Sequence, residues 1–279
     1  MAMYYYPTKE EIENQKSLIL SKEKLQEDSL IPSLDGKFTP FRYFKHGLDV
    51  SPSPSVGKKV VISGKDLDTI LNQEKIALVP YTVPFERSYS IVELQDLTSE
   101  KRITNLLYDA VYEGIPISDL KIGLEIVGLR ILDVIKSGYY NILLSDFNIS
   151  QYRIPLPITF LLMYLENFLK EKGIDVRNLK FIVQSSEIKN PFEVATLLSL
   201  GSSMVYPSSM DEEKVIDLLN QYVYDLISKK GYKSIEEFIG SKNVNVIGLK
   251  NEFLELINPS YKSSFEVEGL SEIESYLYT

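Results

Sequence analysis

Between Asn141 and Pro207 the chain reads strand, helix, strand, helix, strand, an order that leaves few folds open. NILLSD (Asn141–Asp146) is a short apolar run of strand length, and PLPITFLLMYLENFLKEKG (Pro155–Gly173) has the length and apolar spacing of a helix. FIVQSSE (Phe181–Glu187), NPFEVATLLSLG (Asn190–Gly201) and SSMVYP (Ser202–Pro207) repeat the pattern as strand, helix and strand. Two such crossovers in succession imply a parallel sheet, since a parallel pair needs a long connection between its strands. Ligands usually meet such a sheet at the C-terminal ends of its strands. The expected fold is therefore α/β, with a mainly parallel sheet, helices on both faces and an irregular, extended N-terminal arm.

The rest of the chain fits around that unit. Thr8–Leu20 reads as a short helix with Thr8 as N-cap and Glu11 at the third helical position. Pro32, Gly36, Pro40, Pro52, Pro54 and Gly57 break the following stretch, and SPSPS (Ser51–Ser55) is the best linker. A boundary at residue 57 divides an arm, 1–57, from an α/β domain, 58–279. KVVIS (Lys59–Ser63), IALVP (Ile76–Pro80) and YSIVEL (Tyr89–Leu94) read as strands, and Asp66–Glu74 as a short helix. Ser99–Gly114 is an amphipathic helix with a stripe of Ile103, Leu106, Leu107, Ala110 and Val111. Lys121–Gly138 is a helix closed by its glycine, and Asp211–Gly231 is a long one, acidic at its start and basic at its end. Four shorter elements follow: Ser234–Gly240, Val244–Leu249, Asn251–Ile257 and Ser271–Leu277.

Composition removes whole classes of chemistry. The sequence has no cysteine, which excludes disulfides, thiolate zinc sites, cysteine-held iron–sulfur clusters and a thiol nucleophile. The one histidine, His46, excludes a metal site built on a histidine pair. A net charge of −9 opposes binding to nucleic acid and to anionic membranes. Apolar runs such as Ile158–Leu165 fall well short of the roughly 20 residues that cross a bilayer. The leading MAMYYYPTKEE has neither the basic flank nor the apolar stretch of a secretion signal, so the expected location is cytoplasmic.

Candidate site residues gather at the expected C-terminal edge of the sheet. Gln184, Ser185, Ser186 and Glu187 form either a polar pocket near the helix starting around Pro191 or a loop that caps it through Asn190 and Ser186. Asp146 is a base or ligand holder with Glu187 close by, or else a capping residue or partner of Arg153. Ser208, within Pro207-Ser208-Ser209, could approach a phosphate, or it belongs to a turn before the helix at Asp211. His46 reads as a surface or interface residue. Tyr4, Tyr5 and Tyr6 read as an interaction patch or a frayed end. None of these residues forms a catalytic or metal-binding constellation.

The order of these pieces resembles the central domain of the glutamate synthase large subunit. The resemblance starts in YPTKEEIENQKSLI (Tyr6–Ile19) and TPFRYFKHGLDVSPSP (Thr39–Pro54), the latter similar to the family's segment after the glutaminase domain. It is clearest from NILLSD through IPLPITFLL and FIVQSSE to Pro207. It continues through Asp225–Ile257 and ends at FEVEGLSEIESY (Phe265–Tyr276). Where the family has a glutamate–small–glycine–glutamate loop, this chain has Gln184, Ser185, Ser186 and Glu187, so only the last carboxylate is kept.

The family's chemistry is glutamine hydrolysis by an N-terminal cysteine, then flavin-dependent reduction of 2-oxoglutarate with ammonia, aided by an iron–sulfur cluster. That equipment is missing from this sequence, and the resemblance implies no cofactor in this chain. It implies a diverged, separately encoded central domain. Such a chain would be a non-catalytic part of glutamate biosynthesis, linking glutaminase-like and FMN synthase-like subunits. The competing expectation is a small-molecule-binding module that uses Asp146, Ser185, Ser186, Glu187 and Ser208.

Overall fold

Helix starts show how closely local sequence dictates local structure here. In this computed structural model, which describes residues 7–27, 38–54, 57–84, 120–147, 149 and 153–278, helix α1 (Lys9–Leu20) opens with a complete capping box. Thr8 Oγ1 accepts from the Glu11 amide, and the Glu11 carboxylate accepts from the Thr8 amide at 2.8 Å. Ser63 and Asp66 repeat the device at α2 (Gly64–Gln73). Helix α3 (Leu120–Lys136) ends as expected near Gly138, whose φ of +80° is a conformation that glycine tolerates best.

Four strands form the central sheet: β2 (Ile76–Pro80), β4 (Asn141–Ser145), β6 (Lys180–Ser185) and β7 (Ser202–Pro207). They lie in that order and every neighbouring pair is parallel. Helices α4 (Ile158–Glu171) and α5 (Pro191–Ser199) supply the crossovers read from the sequence. Alternation along the strands divides the apolar residues between two faces. Ile142, Leu144, Phe181, Val183 and Val205 join the large core together with α3, α4, α5 and α6 (Glu213–Lys229). Leu143 and Ile182 turn the other way and pack with Ile62 and Leu67 beneath α2. That second face has the thinner cover, and Leu78 of the edge strand remains 51% exposed.

Two readings are corrected by backbone chemistry. Lys59–Ser63 is not a full strand: it meets β7 through one bridge, Val61 with Val205. The amides of Val60 and Val61 both donate to Asn220 Oδ1 at 3.0 Å, so a side chain on α6 takes the place of a further ladder. The helix expected from Pro155 starts at Ile158, because Arg153–Pro155 is β5, paired antiparallel with β3 (Thr82–Pro84). Pro155 and Pro157 hold the residues before them extended and have no amide to donate, which delays the helix. The elements expected at Tyr89–Leu94 and Ser99–Gly114, and the tyrosines at 4–6, lie outside the described residues.

The N-terminal segment packs on the α/β body. Ile19, Phe38, Phe41, Tyr43, Phe44 and Val50 belong to the large core. Strand β1 (Phe44–Lys45) pairs antiparallel with β8 (Asn245–Val246). Ser51 donates its amide to Asp225 on α6 at 2.9 Å. Beyond β8 come α8 (Asn251–Ile257) and α9 (Leu270–Tyr278), with the short α7 (Ile235–Phe238) before it. Arg42 and Glu268 join the two ends of the fold by an ion pair at 2.5 Å in which each side chain is only 9% exposed. Tyr43 and Tyr276 also donate to the Glu268 carboxylate, and the Arg42 guanidinium lies over the rings of Phe38, Tyr43 and Tyr276.

Candidate functional site

Strand register builds the polar cluster. Pro80 of β2 stands beside Ser145 of β4, and Ser145 beside Gln184 of β6. One residue further along each chain come Tyr81, Asp146 and Ser185, so parallel pairing delivers a phenol, a carboxylate and a hydroxyl to one row. The ladder carries on into that row: the Tyr81 amide donates to Ser145 O at 3.0 Å, and the Asp146 amide to Gln184 O at 3.3 Å.

Asp146 is the hub. Its Oδ2 accepts from the Ser186 amide at 2.7 Å, from Ser186 Oγ at 2.8 Å and from Ser185 Oγ at 3.3 Å. Burial pushes the Asp146 carboxyl above the usual carboxylate range, while the Ser186 and Ser185 bonds pull it back. The Glu187 amide donates to Ser185 Oγ at 3.2 Å, and Ser209 Oγ donates to Ser186 O at 2.9 Å. Tyr81 is fully buried, and burial holds its phenol protonated, reinforced by the charges of Asp146 and Glu187.

Of the residues expected at this edge, Asp146, Ser185 and Ser186 form one hydrogen-bonded group. Glu187 lies buried beside it and acts on the same phenol. Ser208 stands one residue off, half-buried in the turn Ser208–Met210, and its neighbour Ser209 makes the contact. Two finer expectations change. Asn190 caps α5 by accepting from the Glu193 amide at 3.0 Å, but Ser186 serves Asp146 instead of that helix. Arg153 donates to Thr82, to its carbonyl at 2.9 Å and its hydroxyl at 3.3 Å.

His46 is corrected outright. It is 4% exposed, with Nε2 at 3.1 Å from both Phe192 O and Thr196 Oγ1 on α5. The nearby charges Arg42 and Lys45 suggested a surface position, but both are largely buried as well, and the ring lies against α5. Sequence reading also missed Tyr81. A signal for it existed, since it follows directly on an expected strand end, in register with Asp146.

Chemically, the cluster is an organised loop more than a reacting centre. One carboxylate oxygen is occupied by three donors, which ties the end of β4 to the turn after β6. Among the described residues, no group of three His, Cys, Asp or Glu side chains could hold a metal ion. Among them, too, no helix is long and apolar enough to cross a membrane.

The profile of the glutamate synthase central domain matches residues 61–250. The chain belongs to that family. Every candidate at the sheet edge lies inside the matched stretch, as do the four parallel strands and both crossovers. The likeness read in Tyr6–Ile19, Thr39–Pro54 and Phe265–Tyr276 lies outside it. These flanks of the central domain include both partners of the buried Arg42–Glu268 pair. Among solved structures, a point mutant of flavocytochrome b2 with benzoylformate shares 12% identity with this chain at a TM-score of 0.37. That likeness covers 84% of this chain and 78% of the other, and at such a score it adds nothing about this central domain.

Proposed function

We propose that this chain is a non-catalytic component of a glutamate synthase assembly, linking glutaminase-like and flavin-dependent synthase-like subunits. The observation that carries the reading is membership of the central-domain family over residues 61–250. The sequence supports it by lacking the cysteine that glutaminase and iron–sulfur chemistry in this family would need. The sheet-edge cluster supports it as well, because the donors around Asp146 hold a loop in place. A component of this kind contributes by keeping reacting partners in register. Affinity capture of the tagged chain from its native host, with mass spectrometry, tests the proposal. Co-purification of glutaminase-like and flavin synthase-like subunits is the expected result. A chain recovered repeatedly without them would sink it.

A second reading, a small-molecule-binding module, draws on the same edge, where Asp146, Ser185, Ser186 and the buried Tyr81 phenol come together. It predicts a rise in melting temperature with nucleotides or small carboxylates that disappears in Ser186→Ala. No shift across such a panel would remove it.

A further inference from the structure

Residues 44–50 of the arm run from α5, which β1 and the ring of His46, the only histidine of the chain, touch, to α6, where Lys229 Nζ donates to Asp49 O at 3.0 Å. The tautomer of the ring follows from its neighbours. Thr196 Oγ1 donates its one hydrogen to Phe192 O at 3.0 Å, so both atoms facing Nε2 can only accept from it. Nε2 therefore carries the proton. Nδ1 is left as a bare lone pair, buried and without a hydrogen-bond partner among the described residues.

The surroundings oppose a second proton on this ring. Lys45, next to it at the end of β1, and Lys230 just after α6 are the cations whose charges reach it. The one charged residue of α5, Glu193, accepts from the Lys189 amide at 2.7 Å. Glu27, the nearby acid of the arm, accepts from the backbone amides of His46 and Gly47, at 2.9 Å and 2.7 Å. Burial, with Lys230 and Lys45 adding to it, lowers the imidazole to about 3 against the Phe192 bond.

We propose that His46 makes the arm a proton-released clasp: the neutral ring, seated on α5, holds residues 44–50 against α5 and α6, and protonation of Nδ1 frees them. The sign follows from the lowered affinity for protons in the docked state. The ring's contribution to docking is complete above the free-histidine range near 6.5 and fades as pH falls from there toward about 3. Glu27 works in the opposite sense, because burial raises its carboxyl and docking therefore favours its protonated form.

A single histidine gives one ring signal, so NMR of the full chain reads the clasp directly. At pH 7 the ring nitrogens should report the Nε2–H tautomer. Between pH 6 and pH 4, amide protection of residues 44–50 should fall by up to about tenfold per pH unit relative to the β4 and β6 amides, the limit for release of one proton-linked contact. His46→Gln can still donate to Phe192 O but cannot take up a proton, and should flatten that dependence. A ring that titrates near 6.5 with arm protection unchanged would overturn the proposal. So would equal loss of protection in β4 and β6, which would mean that the whole fold opens. The wild-type ring signal decides the matter even if the variant does not fold.

Discussion

The molecule buries charge in two places and manages it differently. At the sheet edge, Asp146 is surrounded by hydroxyls and an amide from the strand end and turn of β6, and among the described residues no cation pairs with it. Where the two ends of the fold meet, Glu268 faces a guanidinium and two phenols within an aromatic enclosure. The first cluster lies within the family's matched stretch and the second outside it. Neutral donors let a carboxylate hold a local turn at small cost. A dry ion pair makes each charge depend on the other, so it couples segments 226 residues apart.

The largest test of that contrast removes one charge of the dry pair. Glu268→Ala leaves Arg42 buried without its anion, and urea unfolding should show a loss of about 3–5 kcal/mol. A double change, Arg42→Met with Glu268→Leu, should recover most of it, and a loss as large as that of Glu268→Ala would contradict the account. Asp146→Ala should cost less, about 1–3 kcal/mol, through the donors it strands on Ser185 and Ser186. Were it to cost as much as Glu268→Ala, the two clusters would not differ in kind.

A purely local contact sets the scale below these. Ser63→Ala removes the cap of α2 and should lower stability by about 1 kcal/mol. The same box holds the Asp66 carboxyl down at about 2, chiefly through the Ser63 amide and Lys59, against the burial that would raise it. Its support is therefore complete above the free-aspartate range near 3.8 and fades as pH falls from there toward about 2. Loss of α2 amide protection in that window, abolished in Asp66→Asn, would show it. The smallest effect is expected at the exposed edge: Leu78→Lys adds a charge on the thinly covered face and should change stability by less than about 0.5 kcal/mol. A larger loss would show that this face is covered in solution.

The fold was legible wherever the code is short-range. The strands at Ile76–Pro80 and Ser202–Pro207 and the helix at Asn251–Ile257 match their readings residue for residue. The capping pair Thr8–Glu11 was visible because it is a contact across three positions. Lys59–Ser63 failed because β-branched residues report strand propensity and not which groups will take their amides. Asn220, on a helix more than 150 residues away, takes two of them. At the sheet edge, Asp146 and the Ser185–Glu187 loop were legible from two expected strand ends. Tyr81 needed the register of a third.

By itself, then, the sequence determined the parallel α/β unit, its crossovers and caps, the edge on which the polar residues gather, and the absence of thiol chemistry. Each of these rests on periodicity, on contacts a few residues apart, or on composition. Only the tertiary structure decided that His46 is buried with a bare Nδ1, that Arg42 meets Glu268, and that the arm shares the core of the α/β body. Those outcomes depend on which distant segments share a boundary. Burial is a property of that boundary, and neither side of it carries the answer alone.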